Sequence, residues 1–307
     1  MSDKRSNNPA DANEITRQFL DSILIEERII DAKIASLETE IFGQKFSTPI
    51  MMPAFSFLRS FLPERENAML EYSRAAQNMG MVNWVGMTDN NDFGEVLATG
   101  ARTVRVIKPF ADTDKVFDEI AFAEEHGAFA AGMDIDHVFG DDGGYDVVAD
   151  YPMKQQTQDD LRAYVAATKL PFVVKGVLSV SDAVKCAECG VRGIVVSHHR
   201  GRMPFAVPPL MVLPEICEAL KGSSVEIFVD CGINTGADAY KALAMGAKAV
   251  SVGRAIMPSL SRDGTEGVEA YVHKMNQELA LLMGYTGCAS TADMSPDTLW
   301  LNGRRLG

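Results

Sequence analysis

The chain has 307 residues, 47% apolar and 23% charged, a composition that fits an ordinary globular protein and excludes a disordered one. Lysine and arginine number 29 against 42 aspartates and glutamates, and a net charge of −13 argues against nucleic acid or an anionic membrane as a bulk partner. A local basic pocket for one small anion remains compatible with that balance. The five cysteines (Cys186, Cys189, Cys217, Cys231 and Cys288) are spread too widely for a disulfide framework and point to a reducing compartment, the cytoplasm. No apolar run is long enough to span a bilayer, and the polar start MSDKRSNNPADANE lacks the apolar centre of a secretory signal.

Taken in chain order, residues 12–42 carry a helical pattern and are expected to form a helical extension (1–46) ahead of the main domain (47–307). From residue 47 onward, short β-rich apolar runs alternate with amphipathic stretches. The runs are 49–55, 81–86, 103–108, 128–135, 171–176, 193–197, 225–230 and 247–252. They are continuously apolar, as expected of parallel strands covered on both faces. Amphipathic stretches at 112–126, 157–168, 181–189 and 236–245 lie between them, and Gly127, Gly190 and Gly246 stand where a helix should stop. Eight such units without a low-complexity linker predict a (β/α)8 TIM barrel, with a doubly wound sheet as the fallback. The irregular stretch 136–156 follows the fourth run, so it should sit above the barrel mouth. The extension is expected to cap the bottom or side.

Barrel active sites lie at the C-terminal strand ends. Lys108 ends strand three in IKPF, Asp134 and Asp136 flank the end of strand four, and Lys175 ends strand five within VVKG. Strand six runs into Ser197-His198-His199-Arg200-Gly201-Arg202. Asp230 ends strand seven ahead of Cys231-Gly232-Ile233-Asn234-Thr235-Gly236, and strand eight ends in Gly253-Arg254. Each also has a plainer reading. Lys175 could simply pair with an aspartate, and the double histidine could be a solvated loop or a metal site. A metal would need a third ligand; His126, His137 and His273 lie elsewhere in the sequence, so none is expected. Cys186 and Cys189 have redox spacing but fall within a helix, where packing explains them, and Met51 and Met52 read as core. The glycines after strands seven and eight, with Arg254, describe the common phosphate site of barrels at a helix N-terminus.

Here the residues carry a resemblance. The segment 170–295 resembles the FMN-dependent α-hydroxy acid oxidase/dehydrogenase family, which includes glycolate oxidase and lactate oxidase. The matching pieces are LPFVVKGV, GIVVSHHRGR (family SNHGGR), LPEI, FVDCGINTGAD (family DGG-x-R-x-G-x-D), ALAMGAKAVSVGRA and TGCAS; FGQKFSTPIMMPA matches more loosely. The resemblance implies FMN as cofactor, His199 as the active-site base, and Arg202 as the arginine that binds the substrate carboxylate. It implies Lys175 beside flavin N1, where its charge favours the reduced ring. Ser197, Asp230, Gly232, Asn234, Gly253 and Arg254 fall in the ribityl and phosphate segments, and Pro53 and Ala54 fall along the ring.

The chain also departs from the family pattern. No N-terminal tyrosine is available, because the first is Tyr72; Lys108 replaces the tyrosine at the end of strand three. No arginine lies between Arg105 and Arg162, where a second substrate arginine is usual. Asn234 replaces a phosphate-binding arginine, and His198 and Arg200 replace Asn and Gly around the base. The resemblance thus implies oxidation of a 2-hydroxy acid, or a related alcohol, to the 2-oxo product by hydride transfer to flavin N5, in a rebuilt pocket where Lys108, Arg202 and His199 meet a small anionic substrate. A homotetramer is the family's assembly. The alternatives are an FMN-dependent non-redox isomerase of the type 2 isopentenyl-diphosphate isomerase kind, or a flavin-binding protein with little turnover.

Overall fold

The computed structural model describes residues 8–307. All eight predicted runs are strands: β1 (Ile50–Met51), β2 (Asn83–Val85), β3 (Thr103–Ile107), β4 (Ala130–Asp134), β5 (Phe172–Val177), β6 (Gly193–Val196), β7 (Glu226–Val229) and β8 (Ala249–Ser251). They pair in parallel in the order β1-β8-β7-β6-β5-β4-β3-β2. The ring closes where the Met52 N–H donates to Val82 O at 3.0 Å and the Gly86 N–H donates to Phe55 O at 2.8 Å. The outer ring comprises α2 (Ala68–Asn78), α3 (Asn90–Ala98), α4 (Thr113–Glu125), α5 (Gln158–Ala166), α6 (Val180–Glu188), α7 (Pro209–Ala219), α8 (Gly236–Ala244) and α9 (Met257–Tyr285), numbered after an N-terminal α1 (Ala12–Ser22). Caps set the helix starts: the side chains of Asp112, Thr157, Ser179 and Thr235 each accept a backbone N–H from the first turn. Gly127, Gly190 and Gly246 adopt positive φ just past the helix ends, as expected of glycine there.

Alternation along each strand decides what fills the barrel. Val104 and Val106 of β3, Val173 of β5, Val195 of β6 and Phe228 of β7 belong to one inner core with Met51, Val82 and Trp84. Two residues further along, the same inward face carries Lys108, Lys175, Ser197 and Asp230, so a polar layer tops an apolar one. The outward strand residues join the larger core beneath the helices.

The helical extension needs correction. Only α1 is helical; beyond it, Ile23–Ile25 pairs antiparallel with Leu299–Leu301, and Thr39–Ile41 pairs with Gln44–Phe46 in a hairpin. That hairpin forms the floor of the barrel. Ile41 and Phe46 join the inner core, the Phe42 ring packs 5.7 Å from those of Phe129 and Phe228, and the Phe42 N–H donates to Glu226. The helix α1 lies at the other end, against the loops that follow β6 and β7. Apolar spacing suggests a helix throughout 12–42, but a turn at Phe42-Gly43, where both residues take positive φ, allows the hairpin instead.

Candidate active site

The polar layer is a connected charge network. Lys175 and Asp134 are direct neighbours in register across β5 and β4. Lys175 Nζ lies 3.2 Å from Asp230 Oδ2, 3.6 Å from Asp134 Oδ1 and 3.4 Å from Ser197 Oγ. Burial opposes its charge, but Asp230, Asp134 and Asp136 together outweigh that and hold the ammonium well above its ordinary pKa. Burial likewise works against the Asp134 and Asp230 carboxylates, yet the cations around Asp134 and the Lys175 charge beside Asp230 keep both below the usual range. Lys108 Nζ donates to Asp134 Oδ2 at 2.7 Å and lies 3.0 Å from His137 Nδ1. The Cys231 thiol donates to Asp230 Oδ1 at 3.0 Å; burial, with that carboxylate beside it, pushes it up to about 12 and keeps it protonated.

His199 faces this network. Its Nδ1 lies 2.7 Å from Asp136 Oδ1, and its backbone N–H donates to Ser197 Oγ at 3.0 Å. Asp136 gains its place through Gly176, which has φ +92° and marks a register shift between Lys175 and Val177; a Cβ there would collide with the Asp136 carboxyl. An Nδ1–H held by a carboxylate leaves Nε2 as the lone-pair nitrogen, the arrangement a general base needs. The three residues His199, Arg200 and Gly201 all take left-handed φ (46°, 65° and 77°), which turns the chain sharply off β6.

His198 points the other way. It is buried; its Nδ1 accepts the Gly201 N–H at 2.9 Å, and its Nε2 lies 2.8 Å from Thr16 Oγ1 of α1. Burial lowers its pKa, so it stands neutral as a structural clasp. Of the adjacent histidines, then, the second faces the barrel mouth and the first fastens the loop.

The loop over the mouth contributes more than its sequence advertised. It forms a short hairpin, Val147–Val148 with Tyr151–Pro152, and sends Asp146 back into the site. Asp146 Oδ2 lies 3.0 Å from Arg202 Nη2 and 3.0 Å from His137 Nε2, and Arg202 also donates to Phe139 O at 2.8 Å. His137, expected to lie apart, stacks edge-on against His199 with ring centroids 5.5 Å apart. Burial, with Lys108 and Arg202 nearby, pushes its pKa down to about 4. Sequence reasoning missed Asp136, Asp146 and His137 as partners. Asp136 alone carried a signal, as a carboxylate just past a strand end.

Asp134, Asp136 and His199 offer ligand atoms within 4.8 Å of one another, a spacing that could hold a metal ion. Lys108 and Lys175 already face the Asp134 oxygens, so protein cations neutralise that carboxylate.

The turns after β7 and β8 form the other half of the site. Cys231 and Gly232 both have positive φ, and Gly232 sits so close to α1 that a Cβ would lie 2.8 Å from Leu20 Cδ1. The N-terminus of α8 is already filled. Its capping Asp238 accepts the N–H groups of Asn234 and Thr235 at 3.1 Å, and Glu278 accepts that of Gly236 at 2.8 Å. The turn after β8 is open: among the described residues, a Cβ on Gly253 would meet nothing within 4 Å, and Arg254 beside it reaches only Asn13 Oδ1, at 3.4 Å.

A family model described as FMN-dependent dehydrogenase matches residues 4–158 and 140–301. The chain belongs to the FMN-dependent dehydrogenase family. Among curated relatives of this FMN-dependent dehydrogenase, an L-lactate oxidase from Roseobacter sp. (strain GAI101) is 32% identical, the match covering 85% of this chain and 79% of the relative. A 4-hydroxymandelate oxidase from Amycolatopsis orientalis is 31% identical over 89% and 85% of the two chains. A solved mandelate oxidase carrying an FMN adduct superposes with a TM-score of 0.86 at 29% identity, over 96% of this chain and 92% of that one. The enzyme is thus an FMN-dependent oxidoreductase of the 2-hydroxy acid oxidase kind on a (β/α)8 barrel, and the isomerase reading is set aside. No helix among the described residues is long and apolar enough to cross a membrane.

The residues present fit FMN. The open Gly253 turn beside Arg254 suits a terminal phosphate, Lys175 supplies a buried fixed charge, and the buried Asp134 Oδ1 lacks a hydrogen-bond partner.

Proposed function

We propose that this enzyme oxidises a 2-hydroxy acid larger than glycolate or lactate to its 2-oxo product, with His199 as base. The observation that carries this reading is the 2.7 Å contact between His199 Nδ1 and Asp136. It orients the ring, reserves Nε2 for the substrate hydroxyl proton, and places a carboxylate where the imidazolium will need it. When bound, FMN supplies the acceptor for the hydride that leaves the substrate's α-carbon. Lys175, Ser197, Asp230, Gly232, Asn234, Gly253 and Arg254 would hold it, with Pro53 and Ala54 along the ring.

Arg202 is the residue for the substrate carboxylate, with Lys108 as a second positive charge. Both are already engaged, Arg202 by Asp146 and Lys108 by Asp134. An incoming carboxylate must displace Asp146, which disfavours the smallest acids because they bring no compensating contacts. Exposed Phe139 and Tyr145 stack at 6.0 Å on the same loop and offer an apolar surface to a larger side chain. The hydroxymandelate and mandelate oxidases among the relatives are named for aromatic substrates of that size.

Two coarser properties complete the proposal. The free cysteines suit a cytoplasmic enzyme, and an exposed apolar stretch beyond the His199 turn (Met203, Phe205, Val207, Met211) suits burial between copies in a homotetramer. The test is anaerobic mixing of the yellow protein with a panel of aliphatic and aromatic 2-hydroxy acids. Bleaching of the visible flavin band by an aromatic member, and weakly by glycolate and lactate, is expected. No bleaching by any member would overturn the proposal.

A further inference from the structure

Among the described residues, the cations around the barrel mouth have carboxylate partners except for one pair. Lys108 has Asp134, Lys175 has Asp230 and Asp134, and Arg202 has Asp146. Arg17, beneath the β7 turn, forms a two-pronged pair with Asp238 at 2.7 and 3.1 Å. Arg200 and Arg254 have no carboxylate within 4.0 Å among the described residues, in a chain where acids outnumber bases 42 to 29.

One side chain links these two arginines, at the backbone of Arg200 and the guanidinium of Arg254. Asn13 of α1 donates through Nδ2 to the Arg200 carbonyl at 2.9 Å and accepts through Oδ1 from Arg254 Nη2 at 3.4 Å. Arg200 holds a left-handed backbone, φ 65°, that costs a non-glycine residue strain. Its family counterpart is glycine, which adopts that conformation freely, so the guanidinium is kept at a conformational cost. Partial burial, and after it the Arg254 charge, lower its pKa.

The turn after β7 shows what is missing. Asn234 stands where the family pattern has an arginine, and the helix start behind it is occupied by Asp238 and Glu278. The family's phosphate charge therefore has lost one guanidinium from this turn and gained none in sequence nearby.

We propose that Arg200 replaces the arginine lost at Asn234, closing with Arg254 on the 5′-phosphate of FMN. The proposal rests on the FMN reading above and concerns how this chain holds the phosphate. A phosphate dianion between two planar guanidinium groups relieves their repulsion and gives each a charge-assisted contact. The base loop and the cofactor loop are then one unit, because Arg200 directly follows His199.

The test is titration of the apoprotein with FMN and, separately, with riboflavin, which has the same ring and ribityl chain but no phosphate. Arg200→Gly removes the guanidinium and suits the left-handed backbone, so the variant should fold. It should weaken FMN binding by roughly ten- to a hundredfold, the range for one charge-assisted contact, and leave riboflavin within about twofold. Arg254→Ala should behave alike, and Asn234→Arg added to Arg200→Gly should recover FMN affinity. Equal weakening of both ligands by Arg200→Gly, or no change in either, would overturn the assignment. Wild-type protein that binds FMN no better than riboflavin would instead mean that no phosphate is recognised, and the cofactor reading itself would fail.

Discussion

At the scale of single residues, two adjacent histidines have opposite surroundings, His199 beside Asp136 and His198 beside Thr16. His199→Ala should end substrate-driven flavin bleaching while FMN stays bound, as read by the retained visible band. Asp136→Asn should keep the ring oriented but strip the charge behind it, lowering kcat by about 10²–10⁴-fold. His198→Ala should spare most of the chemistry and appear in thermal unfolding, because it breaks the clasp to Thr16 and the Gly201 N–H. If the two histidine variants lose similar turnover, the division of labour is wrong. His137 makes a separate prediction. Its folded pKa of about 4 lies below the unfolded value of about 6.5, so the unfolded chain binds the extra proton first on acidification. Stability from this residue is complete above about pH 6.5 and is lost as the pH falls toward 4. His137→Gln should flatten the fall of melting temperature across that window. An unchanged slope would show that His137 does not contribute.

At the scale of elements, the loop between β4 and α5 brings Asp146 against Arg202. Asp146 holds Arg202 as a substrate carboxylate would, so Asp146→Asn should lower KM for 2-hydroxy acids severalfold or more while kcat changes little. Steady-state kinetics on any acid the enzyme turns over would check this, and a KM that rises would mean that Asp146 orders the loop for binding. The strands were legible in the sequence because burial on both faces leaves continuous apolar runs. The strand-end residues were legible because alternation carries the inward face into the mouth. Partners were not. Asp136 precedes His199 by 63 positions and Asp146 precedes Arg202 by 56, distances at which only the folded barrel relates them. The floor hairpin was missed for a local reason. Its strands are three residues each, too short for alternation to outweigh a helical pattern.

At the scale of the whole molecule, one N-terminal segment serves both ends of the barrel, with its hairpin in the floor and α1 at the rim. Arg17 joins α1 to Asp238, which also caps the turn after β7. Arg17→Ala leaves that carboxylate buried without its cation. A fully buried broken pair costs about 3–5 kcal/mol; partial exposure of Arg17 brings this nearer to about 2–3 kcal/mol, a drop of several degrees in melting temperature. FMN affinity should fall with it, since Arg17 also donates to Gly232 O at 3.1 Å. Unaltered melting and cofactor affinity would separate α1 from the site.

The position of α1 also bears on how the chain is made. Its hydrogen-bond partners at the rim lie between 182 and 241 residues further along. At synthesis rates of about 5–20 residues per second, roughly 10–50 s separate the emergence of this helix from that of its last partner. An 11-residue helix is marginal alone in water, so during that interval the segment has an apolar stripe and no stable home. This helix therefore leaves the ribosome well before the residues that seat it and is among the last elements to dock. A chain cut short before Asp238 could not seat it, and a nascent barrel would gain its rim, and with it the finished turn after β7, only once the last strand of the barrel has been made.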